Sequence, residues 1–308
     1  MENSVFLTER SIWNSHAKRH RNGKIKVGIQ SKSGISMKIL GVSLILLTIY
    51  AFMTFDYKDI DFFDAVSATF HNIKAVFLQP KLSRDSVSSI LYQLLITFCL
   101  GVLSTVFGAV LAFFCSLLCA KNISSSVTAN IIKSIVALVR AVPTVLWVLI
   151  FAVSAGLGSV AAVVGLTFHS FAYLTKVYAE SIEEIDNGTI EALRASGASF
   201  WQIVFQAIIP ASVSRMVAWT FMRFEINFTN AVAVGAAAGA GGIGFNLFMA
   251  GSFYFDLHEM GFLTYIVVIT VIILETVSTK IKAKVKLGES TCKKNNSSVS
   301  YPVRSVLM

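Results

Sequence analysis

The sequence predicts an all-α, polytopic membrane protein of about six transmembrane helices, with one long polar loop between the fourth and fifth. Three observations predict it. Hydrophobic residues make up 55% of the chain and charged residues only 14%, whereas a soluble chain carries roughly 25% charged residues. The charges are clustered, leaving apolar runs of about 18 residues or more, the length a helix needs to cross a hydrocarbon core of ~30 Å. The formal charge of +9 sits mainly beside those runs, in 10–38 and 280–294. That placement marks cytoplasmic flanks of membrane helices, and a basic arm for nucleic acid is the lesser alternative.

The elements follow in order. Residues 1–36 are a basic arm holding Lys18, Arg19, Arg21, Lys24 and Lys26, too polar and too long before the first apolar run for a cleavable signal. Apolar runs fall at 37–55, 88–120, 131–155, 159–178, 208–236 and 262–280. The domain plan is the arm (1–36), a first span with an external segment (37–87), a core of five spans (88–280) and a tail (281–308). The run 88–120 would be roughly 45–50 Å long at 1.5 Å per residue. It must tilt, project or bend, with Gly101 and Gly108 as places to bend. The amphipathic stretch 60–77 is expected on the outer membrane surface.

Charge sets the orientation. The arm belongs in the cytoplasm, and six spans return the tail, with Lys280, Lys282, Lys284 and Lys286, to the same side. Asp56, Asp59, Asp61 and Asp64 then lie outside, as does 236–261, which contains no Lys or Arg. The polar loop, within 179–210, falls in the cytoplasm. The run 236–251 is too rich in glycine for a rigid span and is expected to line a cavity, since irregular backbone at membrane depth needs cover from protein or water. Cys99, Cys115 and Cys119 lie within one apolar run and read as packing residues. No metal site or cofactor is expected.

The loop carries the most specific pattern: Glu191-Ala192-Leu193, three residues, Gly197, nine residues, then Ala207-Ile208-Ile209-Pro210. It resembles the EAA loop of ABC importer permeases, whose pattern is Glu-Ala-Ala, three residues, Gly, nine residues, Ile-x-Leu-Pro. Leu193, Ala207 and Ile209 depart from it by apolar exchange. Thr189 is expected to cap a short helix with Glu191 in its first turn. Gly197 allows a sharp turn, and Phe200, Trp201 and Val204 offer an apolar face at helical spacing. Such a helix–turn–helix knob suits a groove on a partner; the plainer reading is a helix lying on the membrane surface.

The chain has no Gly-x-x-x-x-Gly-Lys-Ser/Thr loop, so ATP hydrolysis by that machinery needs a separate subunit. Gly239-Ala240-Gly241-Gly242-Ile243-Gly244 matches a dinucleotide fingerprint in letters, but it follows a membrane span and opens no βαβ unit. A narrower resemblance spans about 131–280. Arg140-Ala141-Val142-Pro143 leading into an apolar run, and Arg223-Phe224-Glu225-Ile226-Asn227 followed by the glycine run, look like the third and fifth spans of phosphonate-uptake permeases. The chain departs from that family at Phe228-Thr229-Asn230-Ala231, where a further arginine is usual.

These resemblances imply a type I ABC importer permease in a bacterial cell membrane, working by alternating access on a phosphonate or related phosphorus oxyanion. They imply an ATPase subunit gripping Glu191, Ala192, Gly197 and Pro210, an extracytoplasmic binding protein, and a second permease subunit, taken as an identical copy. Arg140, Pro143, Arg223, Glu225, Asn227, Gly239, Gly241, Gly242 and Gly244 are the candidate pathway residues. Charges inside spans cost at least ~2.5 kcal/mol at the bilayer centre and so face a cavity or the bundle interior. Arg suits oxyanions through paired hydrogen bonds. Arg223 and Glu225, two apart on a helix, are not expected to pair with each other. His169 reads as a packed histidine, and Lys176 and Arg215 as snorkelling side chains. The alternatives are a permease for another solute, an ATP-independent channel or carrier, and a membrane enzyme; neither an HExxH helix nor a G-x-S-x-G elbow is present.

Overall fold

A computed structural model describes the backbone of residues 17–19, 25–27, 32–54 and 61–297, with side chains over 34–54 and 61–283. Clustering of contacts divides the chain into two units, 1–67 and 68–308.

The first unit holds a short antiparallel pair, β1 (Ala17–Arg19) and β2 (Ile25–Val27), and a helix, α1 (Lys32–Thr54). From Ile35 to Met53 the large apolar side chains of α1 are exposed. A helix apolar all round has no face for water, so lipid is its solvent. The next helix, α2 (Phe62–Leu78), begins in this unit and ends in the second. Asp61 starts it by accepting the Phe63 N–H at 2.9 Å.

The second unit is a helical bundle. Its elements are α3 (Val87–Cys119), α4 (Ser126–Ala141), α5 (Thr144–Ala155), α6 (Ser159–Glu183), α7 (Asn187–Ala195) and α8 (Phe200–Ile203). A π turn (Val204–Ile208) leads into α9 (Ile209–Ala238), followed by α10 (Gly242–Phe248), a second π turn (Met249–Phe253) and α11 (Leu257–Ser297). Among the described residues five helices are long and apolar enough to cross a membrane, or six if α4 and α5 count as one broken span.

The run expected as one span at 131–155 is broken: α4 and α5 meet at 88°. The cause is local. Val142 precedes a proline and is held extended at φ −83°, ψ 125°, and Pro143 has no N–H to continue the ladder. The Trp147 ring closes the corner by donating to the Val139 carbonyl at 3.0 Å. Gly101 and Gly108, offered as places where the run 88–120 could bend, have another role. The helix α3 runs unbroken for 33 residues, and the two glycines are seats for crossing helices. A Cβ on Gly101 would lie 3.3 Å from the Phe228 backbone, and one on Gly108 would lie 2.8 Å from Ser170 Cβ. Small residues let membrane helices approach this closely.

At the centre lies α6, packed by α3, α4, α5 and α9. Ala161, Ala162, Leu166, Ala172, Leu174 and Ile182 on it are fully buried. The glycine run after α9 reverses the chain. Gly239 takes the left-handed conformation (φ 59°) at the end of α9, and Gly241 and Gly242 also have positive φ. The short α10 then packs back on α9 so closely that a Cβ on Gly244 would overlap the Val232 carbonyl oxygen. Because the obstacle is backbone, it cannot rotate aside. Gly244→Ala is therefore expected to destabilise the fold by about 1–3 kcal/mol, the range for overpacking. A fall in the thermal unfolding midpoint of the purified chain would show it; an unchanged midpoint would mean that α10 does not sit there.

At the start of α11, Asp256 accepts the Glu259 and His258 N–H groups at 3.0 and 3.1 Å. These bonds hold its carboxyl below the usual carboxylate range, the Glu259 N–H contributing most. Buried Glu259 in turn accepts the Arg84 and Asp85 N–H groups at 3.2 and 3.1 Å, joining this end of α11 to the segment before α3.

Candidate functional site

The loop between α6 and α9 is a knob strapped to one end of the bundle. Its first helix, α7, starts earlier than expected: Asp186 stands at the N-cap and its carbonyl accepts the Thr189 N–H at 3.2 Å. Thr189 is thus inside the helix and does not cap it. The other end closes as a Schellman turn. Ala198 N–H reaches the Leu193 carbonyl at 3.0 Å, Gly197 N–H reaches Arg194 at 3.0 Å, and Gly197 has φ +83°. Gln202 then accepts the Ser199 N–H at 2.7 Å to begin α8. Pro210 lies in the first turn of α9, where its missing N–H costs least, and the π turn before it closes with the Ile209 N–H on the Val204 carbonyl.

Ile190, Ile203, Val204 and Ile208 point into the core with Ile182 and Ile185. Val204, expected on the docking face, is therefore a core residue. Glu191, Ala192, Gly197 and Pro210 are exposed, beside Phe200, Trp201 and Phe205. Half of the Trp201 surface is open, a costly state for an indole unless another surface covers it. Arg194 binds the Asn122 carbonyl at 3.3 Å, Asn122 binds Ile182 at 2.8 Å, and Arg215 pairs with Glu184 at 3.3 Å. These bonds tie the knob to the segment after α3 and to the ends of α6 and α9.

The second feature is a stripe along α6. His169, Tyr173, Lys176, Glu180 and Glu183 recur at alternating steps of four and three residues, which stacks them on one helix face. They are accessible or half-buried, while most of the rest of this helix is covered. The stripe faces Lys133 and Arg140 of α4 and Arg223 of α9. Lys133 pairs with Glu183 at 2.8 Å, and His169 is near both Arg140 and Arg223. Hydrocarbon is a poor neighbour for such a stripe.

Arg223 is 3% exposed. Its Nε donates to Ser170 Oγ at 3.0 Å, its guanidinium lies 5.3 Å from the Tyr173 ring centre, and its Nη2 has no partner among the described residues. Asn227, fully buried, donates through Nδ2 to Ser170 Oγ at 2.7 Å and to Thr105 Oγ1 at 2.8 Å. Ser170 Oγ in turn donates to the Leu166 carbonyl at 2.6 Å. This network ties α3, α6 and α9 at mid-bundle, next to the Gly108 seat. It joins Arg223 and Asn227 to a group that sequence reasoning missed: Thr105, Ser170 and Tyr173. The signal that could have found Tyr173 was the three–four spacing of polar residues from His169 onward.

The remaining candidates are dispersed. Glu225 pairs with Lys282 of α11 at 3.6 Å and not with Arg223, as the helix geometry required. Arg140 and Pro143 flank the corner between α4 and α5. Gly242 and Gly244 are buried in packing against Thr97 and Val232, while Gly239 and Gly241 form the more accessible outer turn of the reversal. The Gly242 N–H is taken by Gln93 at 3.0 Å and the Ile243 N–H by Thr97 at 3.0 Å. Those amides are thus occupied by side chains of α3.

Comparison with known proteins places these features in context. Residues 107–283 match the family described as the binding-protein-dependent transport system inner membrane component. The phosphate-import permease protein PhnE of Mycolicibacterium smegmatis is 33% identical over 153 residues, covering 49% of this chain and 29% of the relative. The phosphite transport system permease protein PtxC of Stutzerimonas stutzeri is 29% identical over 152 residues, covering 49% of this chain and 55% of the relative. The matched stretch is thus about half the length, or less, of these relatives. Among solved structures, a chain of the inward-facing MetNI methionine ABC transporter superposes with a TM-score of 0.60 at 23% identity, over 66% of this chain and 99% of that one. A bacterial ABC transporter for the acidic polysaccharide alginate gives 0.54 at 15% identity, over 81% of this chain and 98% of that one. At these identities the likeness concerns the fold.

Proposed function

Since the chain belongs to the family of binding-protein-dependent transport system inner membrane components, we propose that it is the membrane subunit of an ATP-driven importer for a phosphonate or related phosphorus oxyanion. The observation that carries this reading is the uncovered polar face of α6, with the unpartnered Nη2 of Arg223 beside it. An Arg donor without a partner in a dry site is matched to an oxyanion. Relatives named for phosphate and phosphite transport support the class of cargo.

A charged face at membrane depth must be covered. A second copy of this chain set against α6 would cover it and enclose a path. Arg140, Pro143, Arg223 and Asn227 would line or shape that path, with Glu225 held by Lys282 behind it. An extracytoplasmic binding protein would deliver the cargo near the turn at Gly239 and Gly241. A separate ATPase would receive the knob around Glu191, Ala192, Gly197, Phe200 and Trp201. Closing of the ATPases would pull the ends of α3, α6 and α9 together, alternating the path between its two openings. Both termini then lie in the cytoplasm, in accord with their basic charge.

The test is uptake into proteoliposomes holding this chain, its ATPase and its binding protein. The cargoes are labelled methylphosphonate, phosphite, phosphate and a cationic control. ATP-dependent uptake of a phosphorus oxyanion is expected. Uptake of the control alone would discard the cargo, and uptake indifferent to ATP would discard the importer.

A further inference from the structure

The loop end of the α6 stripe opens on a cavity of about 230 Å³ lined by Cys119, Lys133, Arg140, Lys176, Glu180 and Glu183. At ~30 Å³ per water it has room for several water-sized groups, enough for one small tetrahedral ion. Its charges do not balance. Glu183 is held by Lys133 at 2.8 Å and by the Lys121 N–H at 2.9 Å. Glu180 is engaged by Lys176 at 3.5 Å, one helical turn away. Arg140 lines the same space and has no carboxylate within ion-pair distance among the described residues. Three cations thus face two carboxylates, and the excess lies on the side chain best suited to grip an oxyanion with two parallel bonds.

We propose that this cavity is a phosphoryl- or phosphonyl-oxyanion site, separate from the Arg223 network, with Arg140 as its main ligand and Lys133 and Lys176 as supporting cations. A free oxyanion and the phosphate of an anionic lipid present the same chemistry to it. Because the cavity joins the ends of α3, α4 and α6 directly before α7, its occupant would brace the base of the knob. The inference rests on the importer reading only for the identity of the free anion; occupancy is measured without transport.

The full chain is placed in nanodiscs of phosphatidylcholine and treated with phenylglyoxal, which modifies arginines. Modification of Arg140 and of the exposed Arg194 is read by peptide mass spectrometry. Methylphosphonate or inorganic phosphate, at a concentration about tenfold above its dissociation constant, is expected to slow modification of Arg140, and not of Arg194, by about tenfold, because only the unoccupied tenth of the chains leaves that guanidinium free. Protection that appears only with phosphatidylglycerol in the nanodisc assigns the site to a lipid headgroup and also supports it. In a Lys176→Met chain the protection should weaken while the thermal midpoint holds. Equal modification of Arg140 under all conditions overturns the proposal. Uptake without protection would leave the importer standing and remove this site; protection without uptake would do the reverse.

Discussion

Gly197→Glu is expected to reduce ATP-driven uptake to background while the chain still inserts and folds. The residue sits at φ +83°, and no atom lies within 4 Å of where a Cβ would be built. Placing an L-residue there costs about 1–2 kcal/mol, which weakens the Schellman turn without touching the core. What changes is the surface of the knob: a bulky charge appears on the turn that links the helix of Glu191 to that of the exposed Phe200 and Trp201. A docking surface tolerates an unpaired charge poorly, so coupling is lost before stability is. Gly197→Ala separates the two contributions, because it keeps the backbone strain and adds no charge; it should retain part of the uptake. Uptake and binding-protein-stimulated ATP hydrolysis are measured on the assembled complex, with the thermal midpoint as the control for folding. Normal uptake by Gly197→Glu would remove the loop from the coupling mechanism.

The second large effect is expected at Arg223. Losing one charge-assisted hydrogen bond to the cargo is worth about 1.5–3 kcal/mol, or roughly 10- to 100-fold in affinity. Arg223→Met keeps the volume and removes the buried charge, and such replacements are often neutral or stabilising. The path reading therefore expects a folded chain, with an unchanged or raised midpoint, whose oxyanion uptake falls by that factor. Arg223→Lys keeps the charge but not the planar fork and should recover little. A purely structural Arg223 expects the opposite pattern: a lowered midpoint in the Met variant, with whatever folds transporting normally. Asn227→Leu provides the contrast. It removes the Nδ2 bonds to Thr105 and Ser170, which keep the Gly101 and Leu166 carbonyls as acceptors, and should destabilise the bundle by about 0.5–1.5 kcal/mol for each hydrogen bond lost.

The residues differ in how legible they were. Membrane embedding, the helical class and the family were readable from apolar run length and from Glu191 to Pro210, because bilayer thickness and loop spacing act along the chain. The same local logic located the turn at Gly197, whose positive φ follows from its neighbours. Val204 was misassigned because helical spacing says which residues share a face but not which face turns inward. The run 131–155 read as a single span with no corner placed at Pro143, because apolar run length is blind to a backbone corner. Gly101 and Gly108 read as places where the long run could bend; that they are seats for other helices was not legible, because no periodicity of α3 records Phe228 or Ser170.

By itself the sequence determined that this chain lives in a membrane, that its helices have these approximate limits, and that it carries the loop of its family. Each of these follows from short-range physics: hydrophobic length, charge beside the bilayer, and turn chemistry. Only the tertiary structure decided that Arg223 and Asn227 share one network with Thr105 and Ser170, that Glu225 is matched by Lys282, and that Arg140 joins Lys133 and Lys176 around one cavity. Most of those partners are separated by dozens of residues in the chain; Lys133 and Arg140 lie on one helix, and it is Lys176 on another that makes their cavity. They meet because small residues let α3, α6 and α9 approach closely, and in hydrocarbon the polar groups they bring together have only one another, or a cargo, to bind.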